Sequence, residues 1–87
     1  MNQNIAAYRS HLDRIDERIA ALLLERLEIV KKIGEEKRRH GYAVLDQGRE
    51  TEIRERLSRI ATREGEAHYL LQIYEGIMDA SKRAQRA

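Results

Sequence analysis

The chain contains no cysteine, proline, phenylalanine or tryptophan, and only five glycines. Without cysteine there is no disulfide, no thiolate nucleophile and no thiolate metal site. Without proline, nothing in the covalent chain forbids long continuous helices. No apolar run approaches the length of a membrane span, and Met1-Asn2-Gln3-Asn4 begins no secretory signal, so a soluble cytoplasmic protein is expected. His11, His40 and His68 share no metal-ligand spacing, and the carboxylates form no metal loop. There is no serine–histidine–acid pattern, no glycine-rich phosphate loop and no dinucleotide fingerprint. Acid–base or covalent catalysis of the usual kinds has little to recommend it.

What remains is rich in Ala, Leu, Ile, Glu and Arg, an all-α composition. The 87 residues suit one domain, 1–87, too small to bury much surface alone, so an oligomer would help. Seventeen basic residues against 15 acidic ones leave a formal charge of +2. The two signs are interleaved, which reads as solvated helix faces. A nucleic-acid module would show a one-signed stripe or aromatic platforms, and neither is present.

The spacing predicts a first helix over roughly Asn4 to His40, capped by Asn2 or Asn4 and ended by Gly41. Ile5, Tyr8, Leu12, Ile15, Ile19, Leu22, Ile29 and Ile33 recur at alternating intervals of three and four, one apolar stripe. Arg26 stands where that stripe calls for an apolar residue, Lys37 follows Ile33 by one turn, and Arg9 lies at the stripe's edge. Cations on a core face are costly unless they meet an anion. About 36 residues of helix span roughly 54 Å, against a diameter on the order of 30 Å for a compact domain of this length. The helix should therefore overhang the rest of the chain, and a second copy would cover its stripe.

Gly41 to Leu45 forms a short connector with apolar anchors. Asp46 is a good N-cap for a second helix running to about Arg63, with Ile53, Leu57, Ile60 and Ala61 as its apolar side. Arg49 precedes Ile53 by one turn; it either points at the core or snorkels to solvent from the helix end. Gly65 is expected to stop this helix. A third runs from about Glu66 to Gln85, with Ala67, Leu70, Ile73, Tyr74, Ile77 and Met78 as its apolar side. Continuing that side gives Ser81 and Gln85, either the rim of a polar pocket or a fraying end. Gly76 costs about 1 kcal/mol relative to alanine within a helix, which suggests close packing.

Arg26 and Lys37 are 11 residues apart, about 16 Å on one face, and one small ligand fits between them. Arg9 is 17 residues before Arg26, about 25 Å away. An antiparallel partner whose helix crosses near Ala20-Ala21 would bring its own Arg9 level with Arg26 and Lys37. The spacing is met either by a symmetric dimer with two shared anion sites or by an antiparallel coiled coil with a register-setting polar position at Arg26.

These residues resemble the all-helical class of chorismate mutase, which forms intertwined three-helix homodimers. The resemblance rests on Tyr8-Arg9 with Leu12, Ile15-Asp16, Leu22-Leu23-Leu24-Glu25-Arg26, Ile33-Gly34-Glu35-Glu36-Lys37, Val44-Leu45-Asp46-Gln47-Gly48-Arg49-Glu50, Ala67-His68-Tyr69, and Ser81 followed by Gln85. Each motif is weak alone; their order and spacing over nearly the whole chain are specific. The resemblance implies conversion of chorismate to prephenate by an intramolecular Claisen rearrangement in the shikimate pathway of aromatic amino acid biosynthesis, without cofactor or metal. It implies that Arg26 and the partner's Arg9 bind the two carboxylates, and that Lys37 and Gln85 donate to the breaking ether oxygen. Glu50 and the backbone near Asp46 would accept from the ring hydroxyl, Arg49 and Ser81 would complete the ring-carboxylate side, and Val30 and Ile77 or nearby apolar residues would form the walls. Ala43 and Leu45 depart from the usual connector, where proline and a polar residue are common. Rival readings are the same reaction on 4-amino-4-deoxychorismate, an isochorismate pyruvate lyase, and a non-catalytic helical dimer that retains the fold.

Overall fold

Three helices account for the regular structure of a computed structural model that describes residues 2–87. Met1, the first residue of the stretch read for a leader, lies outside them. Helix α1 spans Gln3–His40, and the Asn2 side chain caps it by accepting from the Ile5 amide at 2.9 Å. Gly41 ends it at φ +69°, where the Tyr42 amide donates back to the Lys37 carbonyl at 2.9 Å. That left-handed turn favours glycine. The connector is anchored by half-buried Val44 and by Tyr42, whose ring stacks on His40 at 5.3 Å.

Helix α2 spans Gln47–Ile60, and Asp46 Oδ1 accepts from the Arg49 amide at 3.0 Å as its cap. It stops three residues short of the expected Arg63. The Glu66 carboxylate accepts from the amides of Thr62 and Arg63 at 3.0 and 2.8 Å, so the chain beyond Ile60 is bound to the start of the next helix instead of continuing its own. Gly65 is therefore not the stop of α2 but the N-cap of α3, Glu66–Arg86, at φ +83°. Ile60, expected on the apolar side, is 62% exposed for the same reason: it is the last helical residue before the chain turns.

Helix α3 packs on both α1 and α2, and α1 meets α3 only through its C-terminal half. Val30, Leu57 and Met78 are the buried apolar residues of the described chain. The packed face of α1 carries Leu27, Val30 and Gly34 rather than the expected stripe. The stripe itself lies open in the single chain, from Tyr8 at 70% exposure through Leu22 at 62% to Ile33. A helix has room for two apolar faces, and α3 covers only the second.

The molecule measures 56 × 27 × 15 Å with a radius of gyration of 16.5 Å, against about 12 Å for a compact chain of this length. The long dimension is α1 itself, and its N-terminal half overhangs as its length requires. Among the described residues, no helix is long and apolar enough to cross a membrane.

The glycine that packs closely is Gly34, not Gly76. A Cβ on Gly34 would stand 2.8 Å from the Gln85 carbonyl oxygen and 2.9 Å from its Cα, whereas one on Gly76 meets nothing within 4 Å. Gly34 thus lets the last turn of α3 settle on α1. Gly34→Ala gains about 1 kcal/mol of helix propensity but loses about 1–3 kcal/mol to overpacking against backbone. A net destabilisation of about 1 kcal/mol is expected in urea unfolding followed by circular dichroism. Stability at or above that of the wild type would show that α3 yields without cost.

Candidate active site

Residues 26, 30, 33 and 37 fall on one arc of α1. That arc faces the first two turns of α2 across a cavity of 260 Å³, with the last turns of α3 completing the wall. Val30, Ile33, Val44, Ile53 and Met78 supply its apolar lining. Its polar rim is Arg26, Lys37, Asp46, Arg49, Glu50, Ser81, Lys82 and Gln85. Four cations face two carboxylates, so the cavity carries a net positive field suited to an anion.

The Lys37 ammonium donates to the Val44 carbonyl and to Gln85 Oε1, both at 2.7 Å. These bonds take two of its three donors and leave one for a ligand. With Gln85 Oε1 held by a cation, the Gln85 amide NH₂ is left as a donor beside the ammonium. Arg38 fixes the backbone there, donating to the Gln85 carbonyl at 2.8 Å and supplying a partner for an end-of-helix acceptor. The chain therefore does not fray at Gln85. Gly34, one turn before Lys37, provides the close approach that makes the Lys37–Gln85 contact possible.

Arg26 is half-buried and donates to Ser81 Oγ, which itself donates to the Ile77 carbonyl at 2.7 Å. Ser81 is thus engaged both as acceptor and as donor. Of the expected wall residues, Val30 and nearby apolar side chains line this cavity but Ile77 does not. It lines an adjoining 440 Å³ apolar hollow with Leu23, Leu24, Leu27 and Ile73, into which Gly76 also opens.

Glu50, in the first turn of α2, has a side chain only 15% exposed, with Lys82 3.1 Å and Arg54 3.5 Å from its two oxygens. Arg54 is bound more closely by Glu75, at 2.9 Å. Hydrogen bonding to Glu75 raises the Arg54 pKa above its ordinary value, and the same bond lowers that of Glu75. Hydrogen bonding to Glu50 raises that of Lys82. Arg49 lines the cavity but snorkels: its side chain is 52% exposed and lies 3.4 Å from Glu52. Asp46 contributes at the rim while its carboxylate caps α2.

Seven of the expected residues, Arg26, Lys37, Asp46, Arg49, Glu50, Ser81 and Gln85, line the one cavity. Arg9 does not. It sits on the overhang of an unbroken helix, 17 residues from Arg26. Lys82 was missed by sequence reasoning. Its signal was present, since Met78, Lys82 and Gln85 follow one helical face just as Ile77 and Ser81 follow another. Among the described residues, no group of three or more His, Asp or Glu is gathered as a metal site.

An all-helical protein with a cation-rich cavity between its helices is thus defined by fold and site together. The sequence model of one family, chorismate mutase type II, matches residues 8–86, and the chain belongs to that family. No curated protein matches the chain.

Proposed function

We propose that the chain is a chorismate mutase, an isomerase that converts chorismate to prephenate, working as an intertwined antiparallel homodimer. In this rearrangement the ether C–O bond breaks as a C–C bond forms within one molecule, so no proton transfer and no covalent bond to the protein is required. Catalysis then comes from holding the reactive chair-like conformer and stabilising the charge that grows on the ether oxygen. Family membership supports this reading. The observation that carries it is the Lys37–Gln85 pair in a cavity that also holds Arg26: the ammonium donates to Gln85 Oε1 at 2.7 Å, which leaves the Gln85 amide NH₂ as a second donor beside it.

Lys37 and the Gln85 amide both donate to the ether oxygen. Arg26 binds one carboxylate with its planar guanidinium, and Ser81 fixes that guanidinium in place. Arg9 of the partner subunit binds the second carboxylate. Glu50 and the backbone near Asp46 accept from the ring hydroxyl, and Arg49 closes the carboxylate side. The dimer reading is supported by the open stripe of α1, whose cheapest cover is a second copy of itself, and by the apolar hollow beside the site.

The test is a side-by-side assay with chorismate, 4-amino-4-deoxychorismate and isochorismate, without added metal or cofactor. Prephenate formed from chorismate is the expected result. Turnover of the amino analogue alone, or release of pyruvate from isochorismate, would replace this reading; turnover of none would leave a non-catalytic helical dimer.

A further inference from the structure

Lys82 is the one cation of the cavity rim to which the proposed reaction gives no role, and its side chain is only 23% exposed. It is the closer of the two cations at Glu50, with Nζ 3.1 Å from Oε2. The other, Arg54, lies 3.5 Å from Oε1 and is held more tightly by Glu75, at 2.9 and 3.3 Å. Lys82 also lies 3.5 Å from Asp79, whose side chain is 58% exposed and well solvated, and its charge reaches Glu75 without an ion-pair contact. Lys82 is thus the principal counter-ion of a mostly buried carboxylate in the cavity wall. An exposed lysine–glutamate pair contributes little to stability. This one is half-buried and lines the cavity, so its charge acts on what Glu50 can bind.

We propose that Lys82 is a specificity-determining positioning residue: by balancing the charge of Glu50, it makes the cavity accept an uncharged hydroxyl opposite that carboxylate and reject an ammonium. The inference rests on the functional reading above and names the ring substituent that the same site selects. A hydroxyl donates one hydrogen bond to Glu50 and brings no charge. An aliphatic amine is protonated near neutral pH. Placed at the same point, it meets a carboxylate already balanced by Lys82 and Arg54, and its positive charge is opposed by both. Discrimination comes from this repulsion as much as from attraction to the preferred group.

The experiment compares kcat/KM for chorismate and for 4-amino-4-deoxychorismate in the wild type, Lys82→Met and Lys82→Arg. The wild type should favour chorismate. Lys82→Met, which keeps the apolar stem, should lower that preference about tenfold or more by uncovering the charge of Glu50, and Lys82→Arg should retain it. General damage to the fold would reduce both substrates alike, so the ratio separates selectivity from structure. An unchanged ratio in a folded Lys82→Met protein would overturn the assignment, as would a wild type that turns over the amino analogue as well as chorismate. A wild type that turns over neither would overturn the functional reading itself.

Discussion

Lys37→Ala is expected to lower kcat on chorismate by about 10²–10³-fold while leaving the helices folded. The ammonium joins three structural elements: α1, which carries it, the connector through the Val44 carbonyl, and α3 through Gln85 Oε1. In the proposed reaction its remaining donor meets the ether oxygen as negative charge builds there. That interaction is stronger in the transition state than in the ground state, so its loss should fall on kcat more than on KM. Alanine also frees the Gln85 side chain and weakens the second donor. Because neither partner of Lys37 is fully buried, its removal leaves groups that water can reach, and the fold should survive. Stopped-time assays with circular dichroism on the same preparation measure both quantities. A variant that turns over normally would show that the ether oxygen lies elsewhere.

The second large effect is restoration of activity by mixing two inactive proteins. Arg9→Ala and Arg26→Ala should each be severely impaired, because in the proposed homodimer each removes a carboxylate partner from both sites. Unfolded together and refolded at equal concentration, they should form mixed dimers in about half of the molecules. Each mixed dimer has one site lacking both arginines and one site with both intact. Restored activity should therefore be about a quarter of the wild-type value. The geometry behind this is simple: α1 runs without a break from Gln3 to His40, so its Arg9 and Arg26 stay about 25 Å apart in any one chain. Absence of rescue in verified mixed dimers would count against shared sites.

Specific positions show where reading the sequence succeeds. The caps at Asn2, Gly41 and Asp46 were legible because capping depends on a few neighbouring residues and a local backbone shape. Helical periodicity put Arg26 and Lys37 on an apolar stripe and left Ser81 and Gln85 as either a pocket rim or a fraying end; all four line the cavity. The end of α2 was not legible, because it depends on Glu66, which reaches back to Thr62 and Arg63 from the following helix. Gly34 and Gly76 carry the same local signal, and only the approach of the Gln85 backbone tells which of them is needed for packing.

The sequence by itself determined an all-helical chain, the overhang of α1 and the arc of α1 that carries Arg26 and Lys37. These follow from rise per residue, period and composition, which are properties of one helix at a time. Only the tertiary structure decided that α3 covers a different face of α1 from its long apolar stripe. Packing likewise gave Lys37 and Gln85 one another as partners and put Lys82 beside Glu50. Those facts depend on the rotation and separation of helices joined by short connectors, and periodicity places a residue on a face without saying what the face will meet.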